Sequence, residues 1–175
     1  YSRDRLKANP MDLVYSLLVM IRAHEESDTK SKRVRDAIRR QCVGWVNGAY
    51  RGLIRYGKTP GWLRVVDGRW EFVPERAEAV RAAVDMFRRG FGTGHIAKAL
   101  HDAGLSIGTG APTSGHLVRL LASPALKGEK HLVLEPETYV LENYYPAVVD
   151  ADVWTDLQQL VTLRSRRHVK GAIPS

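Results

Sequence analysis

The sequence has a single cysteine, Cys42, among its 175 residues. One thiol permits no intramolecular disulfide and cannot by itself build a cysteine-based zinc site, so the cysteine content does not indicate an oxidising compartment. Long apolar runs are also missing. The longest, Leu17 to Ile21, is far shorter than the roughly 20 residues that span a bilayer. We therefore expect a cytoplasmic protein with no membrane segment, signal peptide, metal or other cofactor.

Acidic side chains are fewer than basic ones. The chain has 19 Asp and Glu residues against 27 Lys and Arg residues, which gives a formal net charge of +8 and a pI near 9.8. This balance favours a polyanionic partner, and nucleic acid is the leading candidate. With 44% hydrophobic residues, the chain can still bury one good core or two small ones, because domains usually have about 100 to 200 residues.

Groupings that are typical of enzymes are missing as well. The tripeptide His24-Glu25-Glu26 lacks the second histidine, one helical turn away, that a zinc motif needs. The sequence contains no Gly-x-Ser-x-Gly motif, no phosphate-binding glycine loop and no paired-carboxylate motif. We therefore expect no stand-alone catalysis from this chain, and we interpret Cys42 as a packed small residue rather than a nucleophile.

The segment 9–41 is predicted to form one helix about 50 Å long, at roughly 1.5 Å per residue. Asn9 can cap its first backbone donors, and Pro10 suits the first helical position. Val34 and Ile38 continue an apolar stripe into the charged half, so we expect the helix to continue there.

In the first half of this helix, apolar residues recur at helical spacing. We expect four of them to pair with another copy in a dimer or tetramer, or else to be poorly ordered: Leu13, Leu17, Met20 and Ile21.

The second half of this helix is strongly basic. Lys and Arg spread around a helix can neutralise phosphates along both sides of a groove, whereas a merely solvated helix usually mixes both signs of charge. After Asp28, only Asp36 opposes the cations. We predict contact with DNA or RNA, with a solvated surface as the alternative, for Lys30, Lys32, Arg33, Arg35, Arg39 and Arg40. Beyond the helix, Arg55 and Lys58 are expected to extend this phosphate-binding surface.

The rest of the chain predicts a small α+β domain that is mostly helical. Asp67-Gly68 between two β-prone runs indicates a two-stranded hairpin. Apolar residues at helical spacing, with starting and stopping residues at the ends, predict further helices. These helices are expected at 74–90, 93–103, 113–121 and from Asp150 onward, and one or two short strands are expected at 131–140.

The two central helices form a pattern that resembles a helix-turn-helix unit. Ile96, Ala97 and Leu100 lie on a helix that Gly104 ends, and a second capped helix follows. The joining loop is longer than the usual three or four residues, so a plain helical hairpin is the open alternative. If the second helix is a recognition helix, its polar side chains approach base edges in the major groove. These side chains are Thr113, Ser114, His116 and Arg119.

Several motifs, taken in order, resemble the large serine recombinases, the phage integrases and transposases of the resolvase/integrase superfamily. The segments 9–13, 21–27 and 30–34 are similar to the long helix that closes their catalytic domain. Other motifs are similar to successive parts of their recombinase domain: Thr59-Pro60-Gly61-Trp62-Leu63, the Asp67-Gly68 hairpin, Pro74-Glu75, Gly94 to Gly104, Leu120 to Gly128, and Tyr145 to Asp150 with the Trp154 helix.

The resemblance implies that residues 1–48 end a catalytic domain and that residues 49–170 form a DNA-binding recombinase domain. It also matches Glu26 and Arg33 to a Glu and an Arg of the family's long helix. In that family a serine of an N-terminal domain attacks the DNA phosphodiester, and none of that domain's early motifs is present. A zinc ribbon usually follows, and one cysteine does not suffice for it. We expect a non-catalytic, DNA-binding part of a prokaryotic or phage-encoded site-specific recombinase.

Two other functions stay open at the level of sequence. A helix-turn-helix transcriptional regulator, with the long helix as a dimerisation arm, would bind a short palindrome tightly. A small nuclease acting through His and Glu would cleave DNA with the help of a metal. All three share the basic surface, so DNA binding alone does not separate them. A serine-bearing catalytic domain encoded directly before Tyr1 would indicate recombination.

Overall fold

A computed structural model describes residues 10–170, including the side chains of residues 11–164. The elements follow in the order α1 Pro10–Val46, β1 Leu63–Val66, β2 Arg69–Phe72, α2 Pro74–Arg88, α3 Thr93–Asp102, α4 Ser114–Leu121, a 3-10 turn Pro124–Lys127, β3 Lys130–Leu134, β4 Glu137–Leu141 and α5 Ala151–Lys170. This confirms the predicted α+β, mostly helical class with a long N-terminal helix. The cap predicted at Asn9 lies outside the described residues.

The long helix α1 has two halves with different surroundings. The side chains of residues 11–35 are exposed, apart from the half-buried Ser16. The end of the helix packs on the domain instead, because Ile38, Cys42 and Trp45 are buried. These contacts explain why α1 runs through Gly44 to Val46, beyond the predicted end near Gln41. Tertiary packing of the last turns outweighs the poor helix propensity of glycine.

The apolar first half of α1 is uncovered in this chain. The exposed fractions of its four predicted association residues are 46% for Leu13, 49% for Leu17, 68% for Met20 and 54% for Ile21. Association through these residues stays a prediction. Although this half is apolar, no helix among residues 10–170 is both long and apolar enough to cross a bilayer.

The chain forms two antiparallel hairpins, one before α2 and the other between α4 and α5. In the first, β1 and β2 pair from Leu63 with Phe72 to Val66 with Arg69. Asp67 and Gly68 form its tip with φ values of 47° and 74°, and positive φ at both positions is what a type I′ turn requires. The predicted hairpin is confirmed. The second hairpin pairs β3 with β4, where one or two short strands were expected, and the turn between them contains Glu135 and Pro136.

The helices α2, α3, α4 and α5 turn their apolar sides toward one core. The predicted apolar spacing of α2, α3 and α4 is confirmed by the buried side chains Ala79, Val80, Ala83, Val84, Phe87, Ile96, Ala97, Leu100, Leu117, Leu120 and Leu121. From α5, Leu157 is fully buried. The Arg164 guanidinium of α5 donates to the carbonyls of Phe87 and Phe91, at 2.9 and 3.0 Å, which satisfies one acceptor at the end of α2 and one just after it.

An aromatic cluster joins α1 to both hairpins. The Trp45 and Tyr144 rings lie 4.9 Å apart, and the Trp70 and Tyr145 rings lie 5.2 Å apart. The buried Lys130 reaches into this cluster, where Nζ donates to Ile54 O at 2.9 Å and lies 4.9 Å from the Tyr144 ring. Removal from water lowers the pKa of Lys130. The carbonyl and the ring face are therefore the partners that make this buried cation tolerable.

Candidate nucleic-acid interface

A groove of about 890 Å³ lies between the turn at 58–62, the loop at 107–110, α4 and the start of β3. Its walls include Lys58, from the turn before β1, and His116 and Arg119, both from α4. All three are among the residues predicted to contact nucleic acid, Lys58 at phosphates and the other two as polar side chains of the second helix. The fold therefore brings part of the predicted site together in one concave surface.

The helix α4 presents its polar side to this groove because its other side is in the core. Thr113 is the residue before the first turn, and its Oγ1 accepts from the backbone N of His116 at 3.2 Å, which confirms the predicted cap. His116 and Arg119 are three positions apart and so share one face of the helix. Both side chains are exposed. A short, capped helix with this orientation can approach the edge of a duplex.

The two walls of the groove touch at a glycine. A Cβ built on Gly61 would lie 2.7 Å from the carbonyl oxygen of Ile107 and 2.9 Å from the Cα of Gly108. The carbonyl of Gly61 accepts from Arg76 at 2.9 Å. Across the groove, Ser106 Oγ lies 2.9 Å from Gly108 O and 2.7 Å from Gly110 O, and its one hydroxyl proton can be donated to either carbonyl. Gly61 lies in a motif of the family resemblance, and the close approach between the walls gives it a packing role.

The acidic side chain in the groove is neutralised within the chain. Glu129 contacts Lys127 Nζ at 2.6 Å and His131 Nε2 at 3.0 Å. Partial burial on its own raises the pKa of Glu129, but the hydrogen bonds from Lys127 and His131 outweigh it, and the pKa lies below its ordinary value. Glu129 is therefore paired rather than free to repel a phosphate. Lys58 and Arg119 are the exposed cations of the groove for which the structure gives no acidic partner among residues 10–170.

Sequence reasoning missed the contribution of β3 to this groove. Glu129, Lys130 and His131 line it, whereas the sequence predicted only that a strand begins near His131. Nothing local indicates that the chain after Gly128 turns back toward α4, since that contact depends on the whole fold.

The basic residues of α1 form a second candidate surface. Lys30, Lys32, Arg33 and Arg40 are exposed, and none of them forms a salt bridge or side-chain hydrogen bond within residues 10–170. Arg35 contacts the carbonyl of Ser31 on its own helix, at 3.5 Å. The resemblance matches Glu26 and Arg33 to a Glu and an Arg of the family's long helix. In this structure, Glu26 accepts a hydrogen bond from Arg22 at 3.3 Å. These cationic groups are accessible to a polyanion.

Arg39 differs from the other cations of α1. Its Nε donates to Glu137 Oε2 at 2.7 Å, and its Nη1 donates to Asp36 Oδ1 at 3.2 Å. Its Nη2 donates to the carbonyls of Leu134 and Glu135, at 3.4 and 3.3 Å. The hydrogen bond to Glu137 is the main reason that the pKa of Arg39 is raised. Contact of Arg39 with DNA stays a prediction, but its donors are engaged inside the chain.

The remaining predicted contacts lie outside the groove. Ser114 Oγ forms a hydrogen bond with Thr93 Oγ1 at 2.7 Å, which joins the starts of α3 and α4. Arg55 is exposed between α1 and β1 but does not line the groove. The helices α3 and α4 pack on each other with residues 103–113 between them. Use of this pair as a helix-turn-helix reader stays a prediction.

Three comparisons with known proteins bear on this arrangement. A family model described as Recombinase matches residues 74–164. The uncharacterized protein YbcK of Escherichia coli strain K12 is 26% identical over 168 residues, which cover 91% of this chain and 32% of that protein. The chain therefore spans about a third of that relative's length. A chain in a solved structure titled "Crystal Structure of a LSR-DNA Complex" is similar with a TM-score of 0.53 and 16% identity, over 72% of this chain and 38% of that chain.

The close approach at Gly61 leads to a stability prediction. Gly61→Ala should lower the free energy of unfolding by about 1 to 3 kcal/mol, because the added carbon overlaps the backbone of the opposite wall. Urea denaturation measures this change. Gly110→Ala is the matched control, since a Cβ there has no atom within 4 Å, and it should change stability by less than about 0.5 kcal/mol. Equal destabilisation of the two variants would contradict the proposed packing between the walls.

Proposed function

Since the chain belongs to the Recombinase family, we propose that it is the DNA-binding portion of a site-specific serine recombinase of the integrase or transposase kind. The parent protein exchanges DNA strands through a serine-bearing catalytic domain that lies outside these 175 residues. This portion positions the attachment-site DNA for that reaction. The resemblance to large serine recombinases is confirmed by the family match and by the similarity in fold.

One observation carries the proposal: Lys58, His116 and Arg119 line a single groove at the polar side of α4. Contacts to phosphates fix the position of a protein on DNA, and contacts to base edges specify sequence. Lys58, at the rim, suits a phosphate. Arg119 projects from a helix, and arginine commonly makes paired hydrogen bonds with the major-groove edge of guanine. The groove thus supplies both kinds of contact.

The exposed cations of α1 supply a second, sequence-independent contact. We assign residues 1–48 to the end of the catalytic domain's long helix and residues 49–170 to the recombinase domain. In this assignment the basic half of α1 lies along phosphates near the crossover site. The apolar half, which includes Leu13 and Met20, packs on the catalytic domain or on another copy in a dimer or tetramer. The protein acts in the cytoplasm of a prokaryote or of a phage-infected cell.

A helix-turn-helix regulator is supported less well. It would use the same pair of helices, α3 and α4. It gives no reason for the match of residues 74–164 to the Recombinase model, and no described contact favours it.

The phosphate role of α1 is tested by the salt dependence of duplex binding. In the double variant Lys32→Gln with Arg33→Gln, the slope of log affinity against log salt should become shallower by about 0.9 for each phosphate that the variant no longer neutralises. Fluorescence anisotropy with a labelled duplex measures it. Arg88→Gln with Arg89→Gln, at the end of α2, removes the same number of positive charges. These two arginines are paired with Asp156 and Asp85, so this variant should leave the slope unchanged. The same change in both variants would mean that only net charge matters and would remove α1 from the interface.

The reading role of Arg119 is tested by comparing sequences. A cognate duplex is first selected from a random library by enrichment on the wild-type chain. Arg119→Ala should then reduce the preference for cognate over random duplex by about 1 to 3 kcal/mol, because alanine cannot form the paired hydrogen bonds with a base. Lys58→Ala is the control in the same groove and should weaken both duplexes equally. If Arg119→Ala also weakens both equally, Arg119 contacts the backbone and does not read bases.

A further inference from the structure

The direction of α1 depends on a small set of contacts near its end. Residues 11–35 have no buried side chain, and the buried face of the helix consists of Ile38, Cys42 and Trp45. These three lie on one narrow strip, as positions three and four apart do on a helix. A strip of this kind prevents the helix from leaving the domain, but it resists tilting weakly. A tilt of about 10° at Arg39 would move Lys30 by roughly 2 Å, at about 1.5 Å of rise per residue.

Arg39 supplies the missing restraint. Its guanidinium, beside the buried strip, bonds the Glu137 carboxylate on β4 and the carbonyls of Leu134 and Glu135 at the end of β3 and in the turn. The same group donates to Asp36 on α1 itself. Because a guanidinium is planar and its donors have a fixed geometry, several such bonds define an orientation rather than only a distance. One side chain thus connects α1 to both strands of the second hairpin and to their turn.

The acceptor of the shortest of these bonds is itself held in place. The Tyr139 hydroxyl donates to Glu137 Oε2, the atom that accepts from Arg39. Hydrogen bonds from Tyr139 and Arg39 lower the pKa of Glu137, so the carboxylate stays ionised as pH falls into the acidic range. Nearby, Trp45 Nε1 donates to Glu142 O at 2.9 Å, just after β4. The contact between α1 and the hairpin is therefore built from mutually supporting polar groups.

The charge around Arg39 also argues against a phosphate contact. Its positive charge faces Asp36 and Glu137, at 3.2 and 2.7 Å. A phosphate would have to displace these carboxylates or approach them. Arg35, one turn earlier, contacts a carbonyl of its own helix and has no acidic partner among residues 10–170. The two arginines share a side of the helix but have different surroundings.

We propose that Arg39 is a positioning residue that fixes α1 against the β3–β4 hairpin and thereby sets the spacing between the basic half of α1 and the groove at α4. The effect of this restraint on DNA binding rests on the proposed function, but the restraint itself is a property of the free protein. When the restraint is lost, the basic half of α1 and the groove stay intact, but the distance between them is no longer fixed. Binding of both surfaces to one duplex is then weakened.

The restraint is tested first without DNA. Spin labels are attached to cysteines introduced by Val34→Cys, on α1, and Ala103→Cys, after α3, in the full chain. Pulsed electron paramagnetic resonance then measures the distance between the helix and the domain. The native Cys42 is 0% exposed and should not react. Arg39→Gln should broaden the distance distribution most, Glu137→Gln should broaden it less because the bonds to Leu134 O and Glu135 O remain, and their combination should be no broader than Arg39→Gln. The control Arg35→Gln should leave the distance distribution as narrow as in the labelled chain that has no further substitution. Narrow distributions in all variants would overturn the proposal.

DNA binding then separates positioning from direct contact. If Arg39 positions α1, Arg39→Gln should weaken binding of a long duplex by about five- to tenfold, Glu137→Gln should weaken it by less, and the double variant should be no worse than Arg39→Gln. If Arg39 contacts a phosphate, Arg39→Gln alone weakens binding. Glu137→Gln, which removes a negative charge, would then not weaken it, and the proposal fails. Should the unchanged chain bind no duplex, the proposed function fails, while the distance measurement still decides the role of Arg39.

Discussion

The position of the basic half of α1, and so its access to a phosphate backbone, depends on how the last turns of the helix pack on the domain. Ile38, Cys42 and Trp45 bury one strip of the helix, which removes apolar surface from water and so stabilises the attachment. Burial also raises the pKa of the Cys42 thiol, so this residue packs as a neutral group, as the sequence suggested. Because the attachment is confined to this end, the cations before Ile38 stay uncovered by residues 10–170 and can lie against phosphates.

The groove at α4 has a different chemistry from the long helix. The helix offers cations without a defined recess, which suits the sequence-independent part of DNA binding. The groove combines shape with a few cations, and its shape depends on backbone contacts such as that of Gly61 with Ile107. Lys58 and Arg119 can then act at fixed positions. In the function that we propose, α1 supplies affinity, the groove supplies discrimination, and the junction at Arg39 joins them into one binding surface.

The sequence predicted the elements well because their signals are local. Asp67 and Gly68 marked a hairpin tip, Thr113 or Ser114 marked the start of α4, and apolar spacing marked the buried sides of the helices. The contacts between distant segments were not predictable in this way. No local pattern distinguishes Arg39, which is engaged with Glu137, from the free cations beside it, and none indicates that Lys130 is buried. Such pairings arise only when the fold brings the segments together.

The central claim is that α1 and the groove bind one duplex at a fixed separation. Affinity cleavage tests it most directly. An iron chelate is attached at Thr29→Cys, beside the basic half of α1, or at Thr59→Cys, at the rim of the groove. Both labelled chains are then bound, in separate reactions, to each of several end-labelled duplexes. The expected result is cleavage from both positions, at two sites whose separation is constant from one duplex to another. Cleavage from the groove alone, or sites from α1 that shift between duplexes, would contradict it.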